Sequence, residues 1–284
     1  LKFLALTDTH IVKGEDLERF RDFMHTACAR DVEFIVVLGD ITGHQPEYLP
    51  GVRQVAERSK LPVYLLPGNH DDNYAHNSNW WSDVFPSNYY RFNHQGYHFI
   101  MNWSQDRDAP LPWLAATLDS IAPGEPIVFC QHFPPSSSGA PDEGVWPLLT
   151  ARQNDLAVAL SGHTHSRMSD TVGTIRSETL GSCSMSESRD GFFYEITLTG
   201  TKVEKIEEFV FADLALETPD NAPPTVAVES GCAYFVLEEP LVVSGTADDD
   251  SAVEAVQWQI DSGQWNNAQG AGQWSVALNP ADML

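Results

Sequence analysis

The chain has 284 residues and a mass of 31.5 kDa, enough for one large domain or for one domain with a smaller appendage. A hydrophobic fraction of 42% and an aromatic fraction of 11% belong to a chain that buries a core, and exclude disorder throughout. With 16 basic against 40 acidic residues, a net charge of −24 and no basic run, long DNA or RNA is excluded as a partner. No apolar stretch reaches the roughly 18 residues of a membrane span.

Residues 2–7 read as a strand. Leu17, Phe20, Phe23, Met24, Ala27 and Cys28 then recur at helical spacing and predict a helix with one buried face. Residues 34–38 are apolar throughout, as in a strand buried on both sides of a sheet. A helix near 51–59 leads to a strand at 63–66. The same rhythm returns with a strand at 97–103, a helix at 111–121 and strands at 127–130 and 156–161. Beyond residue 171 helical periodicity stops and short strands run to about 211. This alternation predicts a layered α/β domain.

Residues 217–224, Glu-Thr-Pro-Asp-Asn-Ala-Pro-Pro, read as a Pro-rich linker. After it come strand-like runs at 225–228, 241–245, 253–260 and 274–278, with a hairpin signal at Asp261, Ser262 and Gly263. The predicted division is an α/β domain at 1–216, a linker at 217–224 and a small all-β part at 225–284. Asp248, Asp249 and Asp250 fit no calcium loop and read as a solvated turn. Cys28, Cys130, Cys183 and Cys232 are too sparse for a disulfide scaffold; if all four paired, three connectivities would be open. Cys130, in an apolar run, reads as a small buried hydrophobe. The chain opens on Leu1 without a Met, which predicts a processed or trimmed start. Together with the β tail this points to a periplasmic or secreted protein, with the cytoplasm as the alternative.

Five blocks carry chemistry, each where a predicted strand ends. They are Asp8-Thr9-His10, Gly39-Asp40, Gly68-Asn69-His70-Asp71, the single His132, and Gly162-His163-Thr164-His165. Loops at the carboxyl ends of strands in layered α/β folds gather on one edge. Asp8, His10, Asp40, Asn69, His132, His163 and His165 are therefore expected to converge. Taken singly, a D-x-H more often caps or packs than binds metal, and Gly-Asp is a turn signal. Two imidazoles two residues apart in extended backbone point the same way and say more. Five such blocks, each after a strand, outweigh the reading as turns and caps. Carboxylates, imidazoles and one amide oxygen without thiolate suit Mn, Fe or Zn. Seven donors are too many for one ion and enough for two if a carboxylate bridges, which is the clamp for in-line displacement at phosphorus.

In this order, D-x-H, G-D, G-N-H-D, a single H and G-H-x-H resemble the calcineurin-like metallophosphoesterase superfamily over about residues 1–211. The resemblance implies a layered α/β/β/α sandwich with two divalent or trivalent metal ions on one edge. It implies that Asp8, His10 and His165 hold the first ion, that Asn69, His132 and His163 hold the second, and that Asp40 bridges them. His70 matches the family histidine that contacts phosphate and protonates the leaving oxygen, and the implied nucleophile is a metal-bound hydroxide. Asp71 matches the position that orients that histidine, a plain surface Asp being the alternative. A homodimer is implied by the resemblance alone. The tail is similar to a truncated bacterial immunoglobulin-like domain through V-x-G-T-A-D-D-D-S-x-V and W-x-I-D-S-G-x-W. A whole sandwich of that kind needs about 100 residues.

Protein Ser/Thr phosphatases carry G-D-x-V-D-R-G and G-N-H-E, whereas this chain reads Gly-Asp-Ile-Thr-Gly-His and Gly-Asn-His-Asp. Purple acid phosphatases need a Tyr three residues after the bridging Asp, where this chain has Gly43. Thr-Asp-Thr-His-Ile, Pro-Gly-Asn-His-Asp-Asp and Gln-His-Phe-Pro-Pro look most like the class III cyclic-nucleotide and glycerophosphodiester phosphodiesterases, with Gln131 in place of a second histidine common there. The expected activity is hydrolysis of a small phosphodiester. A phosphomonoesterase on the same site is the alternative, and a secreted binding module with a structural metal site is another. His44, His76, His94 and His98 are read as surface or half-buried histidines, or as pocket lining. The aromatic stretch 73–90 either caps the site or packs on the sheet, and Arg91 and Arg107 are candidate phosphate contacts.

Overall fold

Runs that are apolar at every position form the central strands of two sheets. In the first sheet β1 (Lys2–Leu6), β2 (Ile35–Leu38) and β3 (Val63–Leu66) lie parallel. Two later strands, β10 (Phe192–Thr199) and β11 (Lys202–Val210), extend it antiparallel, giving the order β11-β10-β1-β2-β3. The second sheet contains β4 (Tyr90–His94), β5 (Tyr97–Met101), β6 (Ile127–Cys130), β7 (Leu156–Ser161), β8 (Met168–Val172) and β9 (Ile175–Thr179), in the order β4-β5-β6-β7-β9-β8. These coordinates are a computed structural model that describes residues 1–71, 80–103, 110–135, 144–185, 191–211, 225–228, 241–248, 253, 255–258 and 266–278. The chain divides into two compact units, Leu1–Leu216 and Glu217–Leu284.

Side-chain alternation along each strand supplies two layers at once. Phe3, Ala5, Phe34, Val36 and Leu38 meet Phe99, Met101, Val128, Cys130, Val158 and Leu160 between the sheets. The other face of the first sheet, Leu4, Leu6, Ile35 and Val37, is covered by α1 (Gly14–Ala27) through Phe20, Phe23 and Met24 and by α2 (Leu49–Arg58) through Val52 and Val55. The other face of the second sheet, Ile100, Ile127, Phe129 and Ala159, is covered by Leu114 and Leu118 of α3 (Pro110–Asp119) and Leu149 of α4 (Val145–Ala151). The first unit is thus a mixed α/β fold with helices outside two packed sheets. Parallel neighbours need crossover connections, so β1, β2, β3, β6 and β7 all deliver their carboxyl ends to one edge.

Two elements of this unit were not expected. The strand β4 lies at the end of the aromatic stretch and alternates half-buried with exposed positions. The helix α4 has seven residues and contains Pro147, too short a run for periodicity to show. Cys28, Cys130 and Cys183 are free thiols, and burial pushes the thiols of Cys130 and Cys183 up. Cys232 lies outside the described residues. No helix among the described residues is long and apolar enough to cross a membrane.

In the second unit β12 (Thr225–Val228), β13 (Leu241–Asp248), β17 (Gln273–Leu278) and β16 (Gln269–Gly270) form an antiparallel sheet in that order, and β14 (Gln257–Trp258) pairs with β15 (Asn266–Asn267). Ala247, Val256, Trp274 and Val276 make its core. Residues 217–224, Asp249, Asp250 and the expected hairpin residues Asp261, Ser262 and Gly263 lie outside the described residues.

Candidate metal centre

Main-chain hydrogen bonds tie the loop that leaves β1 to the loop after β2, and the loop after β6 to the loop after β7. Asp8 N–H donates to Gly39 O at 2.9 Å, His10 N–H to Asp40 O at 3.0 Å, and Gly162 N–H to His132 O at 2.9 Å. Within these loops Asp8, His10, Asp40, His163 and His165 all take left-handed backbone, with φ of 54°, 47°, 49°, 71° and 58°. Such φ values are uncommon for residues with a Cβ, Asp and His being among those that adopt them, and five in one set of loops mark a site whose surroundings over-determine the chain. His44 shares the feature, with φ of 67°.

The structure brings the expected donors together as two groups. Asp8, His10, Asp40 and His165 can each offer a ligand atom within 4.8 Å of the others, and so can Asp40, His132 and His163. Asp40 belongs to both. Its Oδ1 accepts the His70 N–H at 2.8 Å, leaving Oδ2 at 3.2 Å from His132 Nε2, 3.8 Å from His70 Nε2 and 4.0 Å from His10 Nε2. Asp8 is divided in the same way. Its Oδ2 accepts from the Thr7 hydroxyl at 2.8 Å and from His163 N–H at 3.0 Å, while Oδ1 is buried without a hydrogen-bond partner. The Nε2 atoms of His10 and His165 face each other at 3.0 Å, and His163 Nδ1 stands 3.0 Å from Asn69 Oδ1.

These atoms fit metal ions. Buried polar atoms are almost always partnered, yet Asp8 Oδ1 and His132 Nε2 are both orphaned at the centre of the cluster. His132 Nδ1 donates to Leu38 O at 2.8 Å, which leaves an Nε2 lone pair aimed inward, the arrangement typical of a metal-ligating imidazole. Burial lowers the pKa of His10 to about 4 and also lowers that of His163, so both offer neutral nitrogens at neutral pH. Burial would raise the Asp40 carboxyl, but His132 and His70 outweigh it and hold it well below the usual range. For His132 burial would lower the pKa, but the Asp40 and Asp8 carboxylates outweigh it and push it up to about 9, so an ion bound at Nε2 would displace a proton there.

Glycines in the blocks make this approach possible. A Cβ on Gly68 would stand 2.1 Å from Asp40 Oδ1, and one on Gly162 would stand 1.9 Å from Thr7 Oγ1. Asp71, expected to orient His70, instead holds the loop after β2. It accepts from Ile41 N–H at 2.9 Å, Thr42 N–H at 2.6 Å, Gly68 N–H at 2.9 Å and the Thr42 hydroxyl at 3.1 Å. Complete burial and the neighbouring Asp40 charge push its carboxyl up to about 7 against those donors. His70 is half-buried, its Nδ1 is orphaned, and burial lowers its pKa.

Other sequence candidates fall elsewhere. His94 pairs with Glu33 at 2.6 Å, and His98 with Asn93 at 2.9 Å and Glu125 at 3.0 Å, at the strand ends opposite the donor loops. Arg91 donates to the Ser120 hydroxyl at 2.8 Å. Trp81 is buried and stacks on Phe85, and Tyr90 donates to Leu65 O at 2.8 Å, so these aromatics pack on the core. Gln131 braces the loop after β6 through Phe133 O at 2.6 Å. His76 and Arg107 lie outside the described residues. His44, read as a surface or half-buried histidine or as pocket lining, stacks on His70 with ring centroids 3.9 Å apart.

Residues 1–167 match the calcineurin-like phosphoesterase profile. A search of curated proteins finds no match. Among solved structures, the chain is similar to a dimetal phosphatase from Danio rerio, with 15% identity over 74% of this chain and 99% of that chain and a TM-score of 0.54. A phosphopantetheinyl hydrolase from Mycobacterium tuberculosis shows 13% identity over 78% of this chain and 98% of its own, with a TM-score of 0.44. An archaeal phosphodiesterase shows 14% identity over 74% and 99%, with a TM-score of 0.42. At 15% identity the likeness to the Danio rerio protein is one of fold alone. The profile match spans more than half of the chain, and the chain therefore belongs to the calcineurin-like phosphoesterases, a family of metal-dependent phosphoester hydrolases.

Proposed function

We propose that the chain is a dinuclear metal-dependent phosphodiesterase acting on a small phosphodiester of the cyclic-nucleotide or glycerophosphodiester type. The observation that carries this reading is the membership of Asp40 in both donor groups, which suits a carboxylate shared by two ions. In it Asp8, His10 and His165 complete one ion's ligands, and Asn69, His132 and His163 complete the other's. Bound ions would polarise the phosphoryl oxygens and acidify water at the site. The chain's own contribution is a rigid frame: Leu38 O fixes the His132 tautomer, and Asp71 fixes the loop that carries Asp40. His70 stands beside Asp40 with Nδ1 unpartnered, and would give a proton to the departing ester oxygen.

Among the described residues the site includes no Lys or Arg. A diester brings one negative charge where a monoester brings two, so a cation-poor site favours the diester. The antiparallel strands and Trp274-centred core of the second unit support reading it as a partial immunoglobulin-like module. The test is turnover of bis-p-nitrophenyl phosphate against p-nitrophenyl phosphate by Mn²⁺-reconstituted protein, with a chelated control. Metal-dependent preference for the diester is expected. Preference for the monoester would replace the reading with a phosphatase, and absence of turnover of either would favour a binding module.

A further inference from the structure

His44 takes an uncommon backbone conformation, and the one contact its ring makes among the described residues is a stack on His70. Its φ is 67°, a left-handed conformation that Gly adopts more readily than any residue with a Cβ, although His is among those that tolerate it. Its side chain is exposed, and its ring nitrogens bond to no group among the described residues. The loop around it is nonetheless stiff. Thr42 is clamped by Asp71 through both its N–H and its hydroxyl, and Gly43 N–H donates to Ile11 O at 3.1 Å. Gly43 itself sits against Val12, where a Cβ would stand 2.4 Å from Val12 Cγ1, so no larger residue replaces it without movement. The imidazole is therefore held in place rather than left to wander.

It is held over His70. The two rings lie 3.9 Å apart between centroids at an interplanar angle of 23°. Imidazole N–H groups point outward in the ring plane, so a face-to-face stack leaves the donors of both rings available. His70 also meets His10 edge-on at 4.9 Å, which ties the stack to the donor cluster. Among the described site residues there is no Lys or Arg, so the imidazoles and the Asn69 amide are the side-chain donors for an oxyanion.

We infer that His44 is a substrate-binding residue, its imidazole hydrogen-bonding the phosphoryl group that His70 contacts, so that the stacked pair forms a two-ring clasp for a tetrahedral oxyanion. The inference rests on the phosphoesterase reading and deepens it. It adds a recognition element outside the metal ligands, on the loop after β2.

The test measures binding of inorganic phosphate by calorimetry to Mn²⁺-reconstituted wild type, His44→Gly and His44→Gln, alongside metal content and bis-p-nitrophenyl phosphate turnover. His44→Gly relieves the backbone strain and deletes the ring, so a purely structural role predicts equal or higher stability with unchanged phosphate affinity. The clasp predicts an unchanged metal content, phosphate binding weakened by about tenfold or more, and a rise in KM larger than the fall in kcat. His44→Gln, which keeps an N–H donor, is expected to recover part of the affinity. Phosphate affinity of His44→Gly within about twofold of wild type, well below the effect of one charge-assisted hydrogen bond, overturns the inference. Loss of metal from His44→Gly also overturns it, because His44 would then serve the metal pocket. A metal-loaded wild type that binds no phosphate and turns over no ester overturns the phosphoesterase reading itself, and the clasp with it.

Discussion

His132 Nε2 stands 3.2 Å from Asp40 Oδ2, while the Nδ1 of the same ring donates to Leu38 O at 2.8 Å. A carbonyl at the end of β2 in one sheet thereby sets the tautomer of a residue that follows β6 in the other. The carboxylate that belongs to both donor groups lies two residues beyond that carbonyl. The two sheets define the site jointly, and neither half contains it.

Asp40→Ala removes the atom common to both groups. Metal content after Mn²⁺ reconstitution should fall below two ions per chain, with turnover reduced roughly 10²-fold or more, since even outer-shell partners of metal ligands are worth 10–100-fold. Elemental analysis beside a diester assay checks this. Two ions retained by the variant would remove Asp40 from the bridging role.

His70→Ala addresses the proton donor separately. Both ions should be retained while kcat drops by roughly 10²–10⁴-fold, the range for loss of a general acid. The deficit should shrink for p-nitrophenolate, a leaving group that needs little protonation, relative to an alkyl ester. An equal deficit for both leaving groups would argue against proton donation.

Asp71 accepts from three backbone N–H groups and a hydroxyl. Asp71→Ala orphans those donors in a buried loop, at about 1–3 kcal/mol for an unsatisfied group. Urea unfolding should show a loss of at least about 2 kcal/mol, on the same basis, together with reduced metal affinity. A change within about 0.5 kcal/mol, as for a surface site, would mean that the loop holds itself.

Gly162→Ala places a Cβ 1.9 Å from Thr7 Oγ1 and 2.7 Å from Asp8 Oδ2. Overpacking of this kind costs about 1–3 kcal/mol, and displacement of Asp8 should weaken metal binding. Gly14→Ala, where the added Cβ meets nothing within 4 Å, is the control and should leave both unchanged. Thermal melts and metal titrations of the two variants separate a packing effect from a general intolerance of substitution.

Glu178 is buried beside Arg167 and Arg176. Burial would raise its carboxyl, but hydrogen bonds from Ser169, Arg176 and Arg167 outweigh it and hold the pKa below the usual value. Its unfolded form titrates near about 4.3. A carboxyl depressed on folding contributes stability that is fully present above the unfolded pKa and is lost as pH falls through the folded one. Wild-type unfolding free energy should therefore fall steeply below about pH 4. Glu178→Gln should be less stable at pH 7 but flatter in acid. Parallel slopes for the two proteins between pH 5 and acid would assign the acid loss to other carboxylates.

Much of the fold is local in origin. Residues 34–38 and 127–130 are apolar at every position, and strands so composed sit between two layers wherever they occur. The helix at Gly14–Ala27 follows from the spacing of Phe20, Phe23, Met24 and Ala27 along one face. The strand β4 and the helix α4 escaped because a short alternating run and a seven-residue helix carry too little periodicity.

Residue types and their order likewise carry the reading of the chemistry by themselves: carboxylates, imidazoles and one amide at the ends of successive strands suit hard or borderline metals, whatever the loop geometry. Tertiary structure alone decided what each atom does. Which oxygen of Asp8 is partnered by Thr7 and His163 and which is left bare, why Asp71 serves the loop after β2 instead of His70, and why His44 lies on His70 all depend on contacts between separate loops. Asp8 and His163 are 155 residues apart in sequence, and Asp71 and Thr42 are 29 apart. Composition and periodicity are properties of neighbours along the chain, whereas hydrogen-bond assignment is a property of neighbours in space, and only the packed sheets bring those together.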